Sequence, residues 1–312
     1  MLAIEAGDYV SRCHSLASLL EVSAYPKPGN VHRTRDSEDT FFEHFLAGSI
    51  ATTPAIRDLA TRAYKVNDSH YGEIFLGEAI LRSVQEMMKW QNGGNVHLGI
   101  ILLHAPIAAA AGAIYKKSGV ETELLRNKIG EIIRNSQPED SIKIYQAIRL
   151  AMPVRVLGTV QEMDVTDVST NEKIIEDNIA PLEVFELCSE RDDICSEWVS
   201  NFEITFTEGY SYLSNLLNDG LKINEAVIKT FLYILSKHPD SLIIRKSGEK
   251  EAKRISRKAE KLLKISDKGE FFTEIWKMDE ELWRSKGKLN PGTTADLVSA
   301  AIFVLLLRGW RP

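Results

Sequence analysis

The stretch LGIILLHAPIAAAAGAIY (98–115) decides the fold. It is apolar throughout except for His104, and by length alone it could span a membrane. Its small residues, its Pro106 and its isolation between polar flanks point instead to a helix buried on all sides in a soluble core. Working outward, Val10, Cys13, Ala17 and Leu20 mark one face of a first helix. Ile223, Ala226, Val227, Phe231 and Ile234 mark a later one, and Ala252, Ile255, Ala259, Leu262 and Leu263 a third with Lys and Arg opposite. Further helices are predicted at about 40–63, 72–92, 96–117, 121–135, 141–150, 192–218, 270–285 and 294–309. The run from Val154 to Thr170 is strand-like and reads as an extended connection. There is no internal repeat, low-complexity linker or strand-helix alternation. The expectation is one all-α domain over 1–312, with functional residues at helix junctions.

Composition narrows the function classes. The 38 basic and 44 acidic side chains leave a net charge of −6, which argues against a general nucleic-acid binder. Cys13, Cys188 and Cys195 are too few and too scattered for a disulfide framework or a zinc knuckle, so a reducing cytoplasm fits best. The N-terminal MLAIEAGDYV is acidic where a signal peptide is basic, so export and membrane attachment are not expected.

Four junctions between helices gather Gly, Pro, Asn and charge. In EVSAYPKPGNVHRTRD (21–36), Pro28 biases Lys27 away from the α region and Pro26 stiffens the approach. Lys27 is therefore expected on a rigid extended segment ahead of a flexible Gly29, where it would not support the core. Lys27, Arg33 and Arg35 put three cations within nine residues, a set suited to phosphates. Asp36, Glu38, Asp39 and Glu43 follow. Asp39 and Glu43, four apart, would share a helix face able to hold Mg²⁺, or else simply complement a helix dipole. In GGNVH (93–97), Asn95 is a natural N-cap, and His97 sits in the first turn of a helix whose start favours anions. An ordinary cap beside a core-bonded His97 is the plainer alternative. In HPDSLIIRKSG (238–248), Asp240, Arg245 and Lys246 flank a short apolar run, ahead of a basic helix that reads as a solvated face. In LNPGTTADL (289–297), Thr293 and Asp296 have capping-box-like spacing, which by itself explains Asp296.

Taken in order, EVSAYPKPGN (21–30), GGNVHLGIILLHAP (93–106), AIRLAMP (147–153) with the later Asp-Val pair, PDSLIIRKSG (239–248) and NPGTTADLVSA (290–300) resemble the triphosphoribosyl-dephospho-CoA synthase family. The matches run across nearly the whole chain. The resemblance implies an all-helical transferase in which the ribose 2′-hydroxyl of dephospho-CoA displaces adenine from C1′ of ATP, with the triphosphate retained. It implies ATP and dephospho-CoA, or a related small-molecule acceptor, as partners and Mg²⁺ as cofactor. A homodimer is the protein assembly considered.

Set against that reaction, Lys27, Gly29, Asn30, Arg33, Arg35, Asn95, Arg245, Lys246 and Gly292 are expected to bind the nucleotide. Asp36, Asp39, Glu43 and Asp240 are expected to hold metal, and Asp240, Asp296 and His97 to supply the catalytic carboxylates and acid. The chain has KPGNVHRTRDSEDT where relatives that prime the acyl-carrier subunits of citrate lyase and malonate decarboxylase read KPGLVD followed by GAH-x-DM. It also has PGTTAD for PGGSAD and IIRKSG for LLHRGG. These departures bear on the acceptor, so transfer to a different cofactor precursor is the first alternative. A nucleotide-binding regulator without catalysis and a purely structural scaffold are the others. The retained Lys27, Asp240, Arg245, Lys246 and Asp296 speak against loss of catalysis, and the polar clustering speaks against a scaffold. The four junctions are expected to converge at one end or cleft.

Overall fold

Helix α1 (Leu2–Ser23) and α2 (Phe42–Lys65) lie antiparallel, with Ser15 against Thr53 and Asp8 against Arg57. A 3₁₀ segment (Asp68–Ile74) leads to α3 (Leu76–Lys89), which is followed by α4 (Leu98–Ala113), α5 (Thr122–Arg134) and α6 (Pro138–Ala151). Three short helices come next, α7 (Thr170–Glu176), α8 (Pro181–Glu186) and α9 (Asp193–Val199). A π-helical segment (Ile204–Tyr210) runs into α10 (Ser211–Asn218). The chain ends with α11 (Ile223–Lys237), α12 (Ser241–Ser247), α13 (Glu249–Leu263), α14 (Lys268–Trp283) and α15 (Gly292–Leu307). This computed structural model describes residues 1–66, 68–115, 120–152 and 163–312. Among them there are 15 helices and no strands, which makes the chain all-α. The strand-like run lies outside the described residues as far as 162 and then turns into α7.

Two helices are apolar all round and form the centre. Ile100–Gly112 of α4 and Leu297–Leu307 of α15 are buried without a break. Both begin at the same end of the molecule, because Gly99 faces Asp296 and His104 meets Ser299 deeper in. Among the described residues no helix is long and apolar enough to cross a membrane. The 98–115 stretch is therefore wrapped by protein, as its small residues and flanks implied.

Pro106 lies inside α4 and has no N–H for the carbonyl of Leu102. That carbonyl accepts instead from Trp198 Nε1 of α9 at 3.1 Å, so the helix interruption becomes an inter-helix link. Pro54 in α2 frees the carbonyl of the exposed Ile50, where water can serve.

The expected single helix at 192–218 is broken. Asn201 and Phe202 take φ of 56° and 60°, a left-handed conformation that ends α9. Buried Glu197 then accepts from the N–H groups of Ile204 and Thr205 at 2.8 and 2.9 Å, and burial pushes its carboxyl up to about 7. The cysteine reading also needs correction. Cys188 and Cys195 are joined in a disulfide, because the turn between α8 and α9 brings their Cα atoms to 5.8 Å, while Cys13 is free and buried.

Replacing Trp198 with Phe should destabilise the chain by about 2 kcal/mol through the orphaned carbonyl and lost contacts. In a Pro106→Ala background the restored N–H takes that carbonyl, and the same replacement should cost about 1 kcal/mol less. Equal costs in both backgrounds, measured by urea unfolding, would show that the carbonyl is not the link.

Candidate active site

The residue before α12, Asp240, is fully buried and holds two helix starts together. Its Oδ1 accepts from the N–H of Ile243 at 3.0 Å, capping its own helix. Its Oδ2 accepts from the N–H and Oγ1 of Thr294 at 2.8 and 2.9 Å, in the first turn of α15. Burial pushes this carboxyl up to about 6 against the pull of those hydrogen bonds. Asp240 thus supplies the cap that the Thr293/Asp296 spacing predicted from within α15. Thr293 Oγ1 accepts from Ser241 Oγ at 3.1 Å, and α15 has no side-chain cap of its own at its N-cap.

Asp296 is thereby left over. It is half-buried and accepts no hydrogen bond from the described residues. Burial raises its carboxyl well above the usual range, and the carboxylates of Glu21, Asp240 and Asp192 raise it further, with Lys27 opposing. The facing residue is Gly99 in the first turn of α4, where a Cβ would stand 2.0 Å from Asp296 Oδ2. A side chain at 99 would displace the Asp296 carboxylate, so the glycine leaves that carboxylate its present place.

Lys27 does not reach into solvent as expected. It is buried, donates to the Glu21 carbonyl at 3.0 Å and pairs with the Glu21 carboxylate. Glu21 lies in the last turn of α1, where the helix dipole disfavours an anion, and Lys27 answers that charge. The rest of the 24–36 segment is pinned to α14. Gly29 has φ 75°, donates its N–H to Asp279 Oδ1 at 2.9 Å, and leaves no room for a Cβ against Leu282 and the Leu289 carbonyl. Asn30 donates to the Pro291 carbonyl at 3.3 Å. Arg35 is committed to Asp279 and Glu280, each at 2.8 Å. Arg33 is exposed, donates to the Ser23 carbonyl at 2.6 Å and lies over the Tyr25 ring.

At the second junction His97, not Asn95, is the N-cap of α4, and Asn95 Oδ1 caps the start from two residues ahead by accepting from the N–H of Leu98 at 3.0 Å. His97 is buried with Nε2 2.8 Å from the Phe45 carbonyl. A carbonyl can only accept, so Nε2 carries the hydrogen and Nδ1 is a bare lone pair, buried and without a partner among the described residues. Burial lowers this imidazole to about 4; the Phe45 hydrogen bond opposes the shift and nearby Lys27 adds to it. His97 is thus built as an acceptor, not as the acid expected.

The structure brings Gly29, Asn30, Asp240, Gly292 and Asp296 to the start of α15, with Lys27 near enough for its charge to act on both Asp296 and His97. At the third junction Arg245 is exposed, 3.4 Å from Asp192, and Lys246 donates to the Gly287 carbonyl at 3.1 Å. Asp36, Asp39 and Glu43 stay on the surface, with Asp36 accepting from the N–H of Phe42 at 2.7 Å as a cap for α2. Among the described residues no three His, Cys, Asp or Glu side chains are grouped to hold a metal ion. Sequence reading missed Glu21, Asp192 and Asp193. An acid in a helix's last turn was the available signal for Glu21. The paired aspartates before Ile194 were the signal for the others.

Fold and polar centre are those of an all-helical transferase. Residues 7–312 match the profile of CitG, ATP:dephospho-CoA triphosphoribosyl transferase, and the chain belongs to that family. It is similar to a crystal structure from Archaeoglobus fulgidus of a protein provisionally named triphosphoribosyl-dephospho-CoA synthase, at 28% identity and a TM-score of 0.64. That match covers 85% of this chain and 100% of the other. None of the curated proteins matches.

The buried ion pair reverses one expectation. Lys27→Met should destabilise the protein by about 3–5 kcal/mol, because it strands a buried Glu21 charge. Adding Glu21→Gln should recover most of that loss. Chemical denaturation of both variants tests this, and a single variant as stable as the parent would show that the pair carries no such weight.

Proposed function

We propose that this chain transfers the triphosphoribosyl group of ATP to the ribose 2′-hydroxyl of 3′-dephospho-CoA, or of a closely related cofactor precursor, and releases adenine. The observation that carries the reading is Asp296, a carboxyl without a hydrogen-bond partner among the described residues, held towards its protonated form by burial and by nearby carboxylates where two helix starts meet. In the reaction the acceptor oxygen forms a bond to C1′ of ATP as the bond from C1′ to the adenine nitrogen breaks. The hydroxyl proton must leave and adenine must gain one. Protonated Asp296 gives its proton to the departing adenine, which leaves poorly as an anion. Nδ1 of His97 takes the proton of the attacking hydroxyl. The two groups then reset by exchange with water, so charge and protons balance.

The other residues fit supporting roles. C1′ becomes positively charged as the bond loosens, and the carboxylates of Glu21 and Asp192 near Asp296 favour that charge. Asp240, with both oxygens engaged, holds the start of α15 and does not touch substrate in this account. Arg245 and Lys246 at the rim, with the positive end of α15, suit the retained triphosphate. Mg²⁺ enters as part of the substrate on the phosphates of ATP. Such cations are commonly held by phosphates and one or two carboxylates, so a ready-made protein cage is not required.

Two outcomes follow for assays of free adenine from ATP, run with and without dephospho-CoA. Asp296→Asn should lower turnover by about 100-fold or more, the scale of a lost proton donor, with the fold intact. The pH profile should be bell-shaped. Its acid side falls as pH drops through about 4, where His97 takes up a proton, and its alkaline side falls as Asp296 loses one. Asp296→Asn should erase the alkaline fall. No adenine from the parent protein, or full turnover in Asp296→Asn, contradicts the proposal.

A further inference from the structure

Beneath the site lies a buried chain of polar side chains that the reaction does not use. Ser299 Oγ stands 3.3 Å from His104 Nε2, and His104 Nδ1 stands 2.9 Å from His14 Nδ1. His14 Nε2 is 2.8 Å from Thr52 Oγ1, which donates to the Ser49 carbonyl at 2.9 Å. All of these residues are buried in the core, where an unmade hydrogen bond is costly.

The end of the chain fixes the direction of every hydrogen. Thr52 spends its hydroxyl hydrogen on a carbonyl, so its oxygen accepts from His14 Nε2–H. His14 Nδ1 is then a lone pair, which requires His104 to donate from Nδ1. His104 Nε2 is in turn an acceptor and takes the hydrogen of Ser299. The Ser49 carbonyl also accepts from Thr53 Oγ1 at 3.3 Å, so the Ser299 end decides against the opposite assignment, which would leave the Ser299 hydrogen without an acceptor among the described residues. Both imidazoles are therefore neutral, in accord with burial, which lowers His14 to about 3 and His104 well below its ordinary value. The chain ends on a buried carbonyl, so it cannot pass a proton onward.

Its members sit on the four helices that build the site. On α15, Ser299 lies three residues below Asp296; on α4, His104 lies five below Gly99 and seven below His97. On α1, His14 is seven residues from Glu21; on α2, Thr52 is four from Gly48, which packs against His97, and seven from Phe45, which binds it. We propose that Ser299, His104, His14 and Thr52 are positioning residues. As one hydrogen-bonded girdle they set the relative placement of α15, α4, α1 and α2, and so hold Asp296 against Gly99 and His97 against Phe45. The inference rests on the role given to Asp296 above.

Thr52→Val tests it at the end of the girdle farthest along the chain from Asp296, with nearly unchanged side-chain shape. It should lower kcat about tenfold or more and leave the KM for ATP within about twofold, because misplacement of the reacting groups acts on the transition state. It should also shift the alkaline limb of the pH profile, while Thr52→Ser, which keeps the hydroxyl, should restore both. Ser299→Ala should repeat the pattern from the other end and replaces Thr52→Val if that variant does not fold. Parental kcat and pH profile in the folded variants, whatever their melting temperature, would overturn the inference.

Two NMR readouts stand apart from activity. Imidazole ¹⁵N spectra of the parent should place hydrogen on Nδ1 of His104 and Nε2 of His14; the opposite pattern breaks the girdle as described. The ¹³C titration of the Asp296 carboxyl should move between parent and Thr52→Val, and an unmoved titration overturns the inference. If the parent releases no adenine, the transfer reading fails, and these spectra still decide the girdle.

Discussion

The buried carboxylate of Asp240 governs the rest of the structure. Three hydrogen bonds tie the start of α12 to the start of α15, and because this cap comes from outside α15, the helix does not spend Asp296 on itself. Gly99 of α4 then leaves room for the Asp296 carboxylate, and the third and fourth junctions close against each other through Lys246 and Ser247. The 24–36 segment comes in from the other side, fixed by Asn30 to Pro291 and by Gly29 to Asp279. One satisfied carboxylate thus leaves a neighbouring one unsatisfied, and the difference in hydrogen bonding separates Asp240, spent on structure, from Asp296, which is not.

Electrostatics at the site follow from crowding in a dry interior. Burial makes ionisation of Asp296 costly, the carboxylates of Glu21, Asp240 and Asp192 add to that cost, and Lys27, spent on Glu21, relieves it in part. The same burial keeps His97 neutral, and its bond to Phe45 decides which nitrogen is free. Carboxyl and imidazole respond to desolvation in opposite directions, each towards its neutral form, so one dry environment favours both a protonated Asp296 and an unprotonated His97.

Much of the fold was legible because helix periodicity is a local property. The apolar run 98–115, the faces of α1, α11 and α13, and the cap at Asn95 all follow from neighbouring residues. The break at Asn201 and Phe202 was not legible, since left-handed backbone there is compensated by Glu197 and the tertiary packing around it. At the site, the convergence of four junctions was legible and their roles were less so. The Thr293/Asp296 spacing suggested a cap that Asp240 makes from 54 residues away. Lys27 between two prolines suggested an exposed cation, yet its partner lies six residues back on α1. His104 stood out only as the one polar side chain of the 98–115 run, and His14, Thr52 and Ser299 gave no signal, because their hydrogen bonds join helices far apart in sequence.

The most direct measurement is a crystal structure of the protein with ATP and a dephospho-CoA lacking the ribose 2′-hydroxyl, which cannot react. The account predicts C1′ of ATP at the meeting of α4 and α15, with the Asp296 carboxyl in hydrogen-bonding contact with an adenine nitrogen. The acceptor ribose should face Nδ1 of His97, and the triphosphate should lie towards Arg245 and Lys246. ATP bound elsewhere, or bound there with Asp296 turned away from the base, would contradict it.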